Sequence, residues 1–437
     1  MNSPSTDTAN YPTMSEGPAY TPRILVVGTT DDYIQWIREQ LPGRGVFLVD
    51  KGGRKNGGGV WGACDDEIAS SLLDSEKVWR DVTHYLDTSQ VTVEGVVCFD
   101  CEYLALASVI ARKLDLRAPS LDAIIRCRSK YASKIEWQRH HVGCPDCRHV
   151  HFLSEAKAFF QQATSPCVLK PLTGSGSELV FVCNDLTALE KNWGIMENGL
   201  AFRAHTPMYK NGDMAGAVIE TFAQGDEYSC DFIIENGMVK ILRLSRKIPY
   251  PIGPFGTTWA YMLLAPGRFP LAPDRLNRKL ADAARALGLE RAICMADFIV
   301  REETIRFLEM TPRPGGDCLP HLLRTVRGFD MLKFAMDFSC GKHEPSYPGL
   351  DENGVTGVRI FANKSGVLSH IDTRLLTDDD RVLDIYFKHT PGHEIRMPPL
   401  DYDSWILGHV VFRPDPALDV VDQLNDICGR VSMEIRS

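Results

Sequence analysis

An acidic residue and an arginine lie four residues apart in the stretch FLEMTPRPGGD, residues 307–317. The apolar run that ends at Glu309 is predicted to be a β-strand, and the earlier run ADFIV, which contains Asp297, is predicted to be its hairpin partner. Paired strands can place two carboxylates side by side, where they repel unless a cation lies between them. Such ligands suit Mg²⁺, and Arg313 can then contact a phosphoryl group. The alternative is a solvated strand end closed by a salt bridge.

A lysine lies inside the apolar run CVLKPL, and a segment rich in glycine and serine follows it. A buried ammonium group needs a partner, and a bound phosphate would provide one for Lys170. Residues 173–177 are predicted to be the tip of a hairpin that joins two short strands between Ser165 and Asp185. Backbone N–H groups of such a tip can close over phosphate oxygens. The alternative is an ordinary hairpin tip beside a lysine whose ammonium group reaches solvent.

Two glutamates flank a glycine turn in the stretch VIETFAQGDEYS. In a nucleotide site, the extended segment after Glu220 would offer backbone donors and acceptors to a base, and Glu227 could accept hydrogen bonds from ribose hydroxyls. A surface turn accounts for the same residues equally well. This stretch therefore indicates a nucleotide site only in combination with the other motifs along the chain.

Taken together and in this order, these stretches resemble the ATP-grasp superfamily over residues 24–340, and the FLEMTPRPGG motif is the most specific part of the resemblance. RSKYASKIEW is similar to the family's first lysine segment, which implies that Lys130 lies against adenine or the α-phosphate. VLKPLTGSGS resembles the second phosphate lysine with its closing flap. The resemblance implies Arg313 and Lys170 as catalytic residues, Asp297, Glu309 and Thr311 as metal ligands, and Lys130, Lys170, Ser175, Gly176, Ser177, Glu220, Thr221, Phe222 and Glu227 as nucleotide-binding residues.

Two positions depart from the family pattern. The family usually has asparagine where this chain has Thr311, and a hydroxyl is a shorter and poorer ligand, so a second Mg²⁺ would be held more weakly or through water. Ser129 replaces the aspartate that often precedes the first lysine.

Near the end of the chain, GVRIFANKSGVLSHID, HTPGHEI and DSWILGHVVFRP resemble the C-terminal subdomain of the L-amino-acid ligases, which are ATP-grasp enzymes. The resemblance implies an ATP-dependent carboxylate–amine ligase that forms an amide bond through an acylphosphate and releases ADP and phosphate. Its cofactors would be ATP and one or two Mg²⁺ ions, which Mn²⁺ could replace, and its substrates a small carboxylate and a small amine, one of them an amino acid. Two alternatives stay open: another ATP-grasp chemistry, such as a carboxylase or a purine-type ligase, and a non-catalytic regulatory module that binds ATP.

The composition argues against several other classes of protein. The 437 residues carry a formal net charge of −9, so no overall basic field attracts nucleic acid. No apolar stretch approaches the roughly 20 residues needed to span a bilayer. The 13 cysteines are scattered through apolar segments, which suits reduced thiols. We therefore expect a cytoplasmic protein without nucleic-acid or membrane partners, and homodimer formation is left open.

Strand and helix signals alternate after a polar N-terminal segment, beginning with RILVVGTT and VFLVD, and this alternation predicts a parallel sheet flanked by helices. The resemblance implies a mixed α/β and α+β fold class, with the ATP-grasp fold built from an N-terminal parallel α/β domain, a central flap subdomain and a C-terminal β-rich subdomain. The expected divisions are a disordered tail at 1–22, the pre-ATP-grasp domain at 23–125, the flap subdomain at 126–225, the catalytic subdomain at 226–345 and the C-terminal subdomain at 346–437.

Three further groups of residues have weaker functional interpretations. The stretch HHVGCPDCRHVHF, residues 140–152, holds zinc-ligand residue types, but no second CxxC lies at finger spacing, so we interpret it as a helix end and loop. The glycine cluster at 51–62 lacks a nucleotide-loop spacing and is predicted to be a mobile loop. Three basic residues downstream of the glycine turn could clamp a substrate carboxylate or form a solvated strand end. Two aromatic residues further along could line a pocket, although we expect them to pack in the core. These residues are Arg243, Arg246 and Lys247, and Trp259 and Tyr261.

Overall fold

A computed structural model of the chain describes residues 21–51, 65–163, 166–210, 216–342 and 354–437. Residues 1–20 of the predicted tail, residues 52–62 of the glycine cluster and Ser165 at the start of the predicted hairpin lie outside the described residues. Within the described ranges, no helix combines the length and the apolar character that crossing a membrane requires.

The N-terminal unit is a parallel sheet covered by helices. Its strands are β1 (Thr21–Val27), β2 (Gly45–Asp50), β3 (Glu67–Ser70) and β4 (Val91–Val97), and its helices are α1 (Asp31–Gln40), α2 (Ser75–Ser89) and α3 (Leu104–Lys113). The strand order is β3-β2-β1-β4. Residues 24–27 are completely buried, as expected for a central parallel strand with helices on both faces. The strands predicted from RILVVGTT and VFLVD are confirmed, whereas the short strand β3 was not predicted.

The central unit is a small antiparallel sheet. Two helices precede it, α4 (Leu121–Arg128) and α5 (Lys130–Arg139). Its strands are β5 (Cys147–Val150), β6 (Cys167–Pro171), β7 (Phe181–Cys183) and β8 (Ala217–Thr221). Helix α6 (Leu153–Gln162) lies between β5 and β6 in the chain, and α7 (Leu186–Arg203) lies between β7 and β8. Strands β6 and β7 pair with Cys167 opposite Cys183, which confirms the predicted hairpin. Strand β5 pairs with β8, so the interpretation of residues 147–150 as loop was wrong.

The largest sheet has eight strands and extends through the second half of the chain. Its members are β9 (Asp226–Glu235), β10 (Met238–Pro249), β11 (Thr258–Leu263), β12 (Arg291–Arg301), β13 (Thr304–Thr311), β14 (Thr356–Phe361), β16 (Val382–Phe387) and β18 (Ile406–Phe412). The order is β13-β12-β9-β10-β11-β14-β18-β16. The β9–β10 hairpin turns at Asn236 and Gly237, which both have positive φ, as the Asn-Gly signal predicted.

The remaining elements cover this sheet or follow it. The helices are α8 (Pro273–Ala286), α9 (Cys318–Arg327), α10 (Met331–Ser339), α11 (Arg374–Thr377) and α12 (Val420–Gly429), and β15 (Gly366–Asp372), β17 (Glu394–Ile395) and β19 (Ser432–Arg436) form a separate three-stranded sheet. Gly288 follows α8 with a φ of 81°, as expected for the glycine that ends a helix. The helix-to-strand ending predicted for the last residues is confirmed as α12 and β19, whereas α9 was not predicted.

One apolar core joins the N-terminal unit to the large sheet. Residues of α1 and β1 share a cluster of buried side chains with residues of β9, β10 and α10. Strand β14 also pairs with β11, so the expected C-terminal subdomain contributes strands to the same sheet as the expected catalytic subdomain. The domain divisions themselves stay a prediction.

Candidate active site

Two carboxylates face each other across the β12–β13 hairpin. Asp297 is the register partner of Glu309, as the sequence predicted. Thr311 lies two residues after Glu309 on β13, so both side chains project from the same face of the strand. Asp297 is buried, and its Oδ1 atom is buried without a hydrogen-bond partner. An unsatisfied carboxylate oxygen beside a second carboxylate fits an oxygen-coordinated divalent cation, and Asp297, Glu309 and Thr311 are the residues that would hold it.

Lys247 neutralises part of this acidic pair. Its Nζ atom lies 2.8 Å from Asp297 Oδ2 and also donates to Glu227 Oε1. Burial alone would lower the pKa of Lys247, but the neighbouring carboxylates of Asp297 and Glu227 hold it above its usual range. Lys247 therefore remains charged and fixes the position of both acids. The interpretation of Lys247 as a substrate clamp or solvated strand end is replaced by this role.

The other two residues of that basic group have different surroundings. Arg243 is fully buried, with Nε 2.8 Å from Asp231 Oδ2, so it is not available to clamp a substrate. Arg246 is partly exposed and pairs with the exposed Asp226, as a solvated strand end would. The solvated strand end was therefore the right interpretation for Arg246 only.

Glu220 lies between two buried lysines. Its Oε1 atom is 2.8 Å from Lys134 Nζ, and its Oε2 atom is 2.8 Å from Lys170 Nζ. Burial would raise the pKa of Glu220, but the two ammonium groups lower it. Burial lowers the pKa of Lys170 to about 8, although Glu220 opposes this shift. The structure thus gives Lys170 a carboxylate partner, whereas the sequence suggested a phosphate. Because two lysines share one glutamate, the group has a net charge of one positive unit.

Lys134 was not predicted as a site residue. It is completely buried, and its Nζ atom also donates to the carbonyl oxygen of Leu308, one residue before Glu309, at 2.8 Å. Helix α5 is therefore fixed to the β12–β13 hairpin through one lysine. Its spacing of four residues from Lys130, one helical turn, was the available sequence signal.

Lys130 connects the start of α5 to the hairpin tip. The Ser129 hydroxyl accepts from the backbone N–H of Ala132, capping the helix, so serine supplies the cap at the position where the family often has aspartate. The Lys130 Nζ atom donates to the carbonyl oxygen of Gly174 at 3.0 Å. Burial lowers the pKa of Lys130, and the nearby Glu309 carboxylate opposes that shift. Lys130 therefore lies between the hairpin tip and the carboxylate pair.

The tip between β6 and β7 has backbone conformations that favour glycine. Gly174 has a φ of 142° and Gly176 a φ of 63°, whereas Ser177 also has positive φ and donates from Oγ to the carbonyl oxygen of Gly256 at 2.7 Å. Ser175 and Gly176 are exposed at the end of the tip. The tip is thus attached to the loop between β10 and β11 on one side and is open to solvent on the other.

Two backbone donors that the sequence offered to a nucleotide base are already used. The N–H of Thr221 donates to the carbonyl oxygen of Asp146 at 2.9 Å, and the N–H of Phe222 donates to that of Pro166 at 2.8 Å. The side chain of Glu220 points to the two lysines, as described above. Nucleotide binding by Glu220, Thr221, Phe222 and Glu227 stays a prediction, and at Thr221 and Phe222 it would have to use groups other than the N–H.

Arg313 reaches from the end of the hairpin to the N-terminal unit. Its Nε atom donates to Cys101 Sγ at 3.0 Å, and one terminal nitrogen donates to the carbonyl oxygen of Pro314 at 2.7 Å. Burial raises the pKa of the nearby Asp100 to about 7, although Arg313 opposes the shift. Asp100 and Cys101 were not predicted, because only the fold brings them to the hairpin.

The loop after Arg313 is held by a buried charge pair. The N–H of Gly315 donates to Asp231 Oδ1 at 2.9 Å, while the other oxygen of Asp231 binds Arg243. A Cβ atom at position 315 would lie 2.7 Å from a methyl carbon of Leu319 and 3.2 Å from Asp231 Oδ1, so a larger residue here would require the Leu319 side chain to move. Asp231 and Arg243 thereby fix the path of the backbone that positions Arg313.

The aromatic and histidine-rich groups from the sequence lie elsewhere. Trp259 is buried in the C-terminal core, as core packing predicted, and Tyr261 is buried beneath the Arg359 guanidinium. In the stretch 140–152, Cys144 Sγ approaches the carbonyl oxygen of Lys134 and the rings of His149 and His151 contact each other. Within the described ranges, the group of three potential metal ligands is a different one, formed by His321, Asp384 and His409.

Part of the chain is similar in sequence to known proteins. Residues 163–321 match the family model of the ATP-grasp domain. An uncharacterized protein, y4rH, of Sinorhizobium fredii (strain NBRC 101917 / NGR234) is 23% identical over 280 residues, which are 64% of this chain and 55% of y4rH. The chain therefore spans about half the length of that curated relative.

Several solved structures have the same fold. The crystal structure of an L-amino acid ligase from Bacillus licheniformis superposes with a TM-score of 0.74 at 17% identity, over 96% of this chain and 100% of the ligase. An N5-carboxyaminoimidazole synthase from Aspergillus clavatus superposes with a TM-score of 0.65 at 14% identity, over 94% of this chain and 100% of the synthase. A biotin carboxylase from Campylobacter jejuni superposes with a TM-score of 0.62 at 15% identity, over 94% of this chain and 92% of the carboxylase. The chain thus has the ATP-grasp fold, and residues 163–321 resemble the ATP-grasp domain.

Proposed function

We propose that this chain, which has the ATP-grasp fold, is an ATP-dependent carboxylate–amine ligase that forms an amide bond, with an amino acid as one substrate. The observation that supports the proposal is the position of Asp297 opposite Glu309, with the Lys130 ammonium group near enough to Glu309 to interact with it electrostatically. Arg313 follows on the same segment of chain, four residues after Glu309. The likeness over nearly the whole chain to an L-amino acid ligase supports the choice of substrates.

The reaction would begin with attack of a substrate carboxylate oxygen on the γ-phosphorus of ATP. The bond between the γ-phosphorus and the bridging oxygen breaks, ADP leaves, and an acylphosphate forms. An amine nitrogen then attacks the acyl carbon, phosphate leaves with the C–O bond electrons, and the nitrogen gives a proton to solvent. The first step is needed because oxide is too poor a leaving group for an amine to displace.

The residues of this chain would act mainly through charge and position. Lys130 and Lys170 would bind phosphate oxygens, and Arg313 would face the phosphoryl group during transfer. A divalent ion held by Asp297, Glu309 and Thr311 would neutralise the polyphosphate. Lys247 would keep Asp297 and Glu227 oriented, and the tip at 173–177 would exclude water that otherwise hydrolyses the acylphosphate.

A matrix of carboxylates and amines, scored for phosphate release and for product mass, tests this proposal. We expect phosphate release to require both a carboxylate and an amine, with one amide product of the summed mass less water. Phosphate release that requires bicarbonate would indicate a carboxylase instead. ATP binding without turnover on any pair would indicate a non-catalytic module.

A further inference from the structure

Three potential metal ligands converge outside the proposed nucleotide site, where helix α9 meets the C-terminal strands. His321 lies on α9, Asp384 on β16 and His409 on β18, and one donor atom from each lies within 4.8 Å of the others. Strands β16 and β18 are neighbours in the large sheet. Because the three residues come from separate elements, their convergence depends on the complete fold.

The surroundings leave one of these ligands unsatisfied. His409 is only 2% exposed, and its Nε2 atom is buried without a hydrogen-bond partner. The rings of His321 and His409 have centroids 4.8 Å apart, and Tyr386 stacks on His321 at 4.2 Å. A buried polar nitrogen without a partner costs free energy unless something binds it.

We propose that His321, Asp384 and His409 form a binding site for a divalent transition metal, with Zn²⁺ as the expected ion. Two imidazole nitrogens and one carboxylate oxygen are a ligand set that Zn²⁺ takes, whereas Mg²⁺ prefers oxygen ligands alone. Zinc–ligand distances of about 2.0–2.1 Å place tetrahedral ligands roughly 3.3–3.4 Å apart, so small side-chain rotations would close the site. Three protein ligands leave a fourth position for water.

The location suggests what such an ion does. Helix α9 begins directly after the loop that carries Arg313, and Asp317 at its start pairs with Arg359 of β14. An ion bound by His321 and by the two strands would join the same helix to the sheet at a second point. We therefore expect the ion to raise the melting temperature and to restrict movement of the Arg313 loop relative to the C-terminal strands.

Zinc retention by the untagged full chain tests the site. Metal-free protein is incubated with Zn²⁺ in excess Mg²⁺, which competes for sites made of oxygen ligands alone, and is then dialysed before the bound metal is measured. We expect about one Zn²⁺ per chain. We expect His409→Asn and Asp384→Asn to lower the affinity by more than about tenfold, because even partners outside the ligand set have effects of that size. Co²⁺ bound at the site should also give visible d–d absorption that both variants lose.

Two matched variants serve as controls. His370→Asn changes an exposed histidine on β15, and His149→Asn changes the histidine-rich stretch before the flap; both should retain zinc. Asp384 is only half buried, so its variant tests the site even where His409→Asn does not fold. A wild-type chain that retains no Zn²⁺, or cluster variants that retain it fully, would overturn the proposal. No substrate is present, so the result is independent of the ligase proposal.

Discussion

At the scale of single residues, Glu220 and its two lysines set the charge at the end of the site where we propose that phosphates bind. All three side chains are at least nine-tenths buried, and each lysine contacts a different oxygen of the carboxylate at 2.8 Å. Without Glu220, two ammonium groups would be buried close together with no counter-charge. The carboxylate therefore makes it possible to keep two cations where a polyphosphate would bind.

We predict that Glu220→Gln lowers the free energy of unfolding by roughly 3–5 kcal/mol, the usual effect of removing one partner of a buried charge pair. Urea denaturation followed by circular dichroism measures this. The control is Glu190→Gln, which breaks an exposed pair with Lys157 and should change the free energy by about 0.5 kcal/mol or less. Equal effects of the two substitutions would show that Glu220 is not a structural counter-charge.

Local spacing determined which site residues could be predicted. Asp297 and Glu309 lie on adjacent strands of one hairpin, so strand pattern alone brought them together. Lys134 and Lys247 were missed or misread because their partners, Glu220 and Asp297, are distant in sequence, and only the register of β8, β10 and β12 sets those distances. Arg243 was misread although its partner Asp231 faces it across the β9–β10 hairpin, a pairing that the strand pattern could have indicated.

At the scale of elements, hydrogen bonds hold the β6–β7 tip in place at both of its ends. Gly174 accepts a hydrogen bond from Lys130, and Ser177 donates to Gly256. Behind the tip, Tyr209 donates to Glu178 at 2.7 Å, and Glu178 pairs with Arg203. The tip therefore has a defined position beside Lys130, although its sequence is rich in glycine and serine.

We predict that Gly174→Ala reduces the amount of amide product formed per phosphate released. The φ of 142° is strained for alanine, and the added Cβ would lie 3.0 Å from the Tyr209 hydroxyl and 3.9 Å from Lys130 Nζ. A displaced tip would admit water to the acylphosphate. Product mass and phosphate measured in one reaction give this ratio.

The control for this variant is Gly194→Ala in helix α7, where an added Cβ meets nothing within 4 Å. This substitution should leave the ratio unchanged and, in a helix, should be neutral or stabilising by about 0.5–1 kcal/mol. A wild-type ratio in Gly174→Ala would contradict a water-excluding role for the tip.

Elements with strong local signals were predicted and those without them were not. The β9–β10 turn has Asn-Gly and the end of α8 has a glycine, and both were found where expected. Helix α9 was missed because Pro320 interrupts its pattern, although proline is tolerated in the first turn of a helix. Strands β3 and β5 have four residues each, too few for a clear alternation.

At the scale of the whole molecule, three regions of the chain meet at the loop that carries Arg313. The N-terminal unit contributes Cys101 to the guanidinium, the large sheet contributes Asp231 beneath the loop, and the C-terminal strand β14 contributes Arg359 to Asp317. The central unit is tied to the C-terminal region as well, since Arg203 donates to the carbonyl oxygens of Pro399 and Leu400. The site is therefore a product of nearly the whole chain.

This convergence marks the limit of what the sequence predicts. The order of motifs predicted the fold and the carboxylate pair. The expected division between the catalytic and C-terminal subdomains, at residue 345, did not anticipate that β14, β16 and β18 would continue the large sheet. Strands distant in sequence join a sheet through edge pairing, which has no local signal. The cluster of His321, Asp384 and His409 depends on that same pairing.

The central claim is that Asp297 and Glu309 together bind the ion that carries the polyphosphate of ATP. Its most direct test is calorimetric titration of Mg²⁺–ATP into Glu309→Ala, paired with phosphate release on the best substrate pair. The control is Glu303→Ala in the exposed turn of the same hairpin. We predict that Glu309→Ala weakens nucleotide affinity by at least about tenfold, the size of a change of 1.4 kcal/mol, and abolishes phosphate release, while Glu303→Ala matches wild type. Wild-type affinity and turnover in a correctly folded Glu309→Ala would contradict the claim.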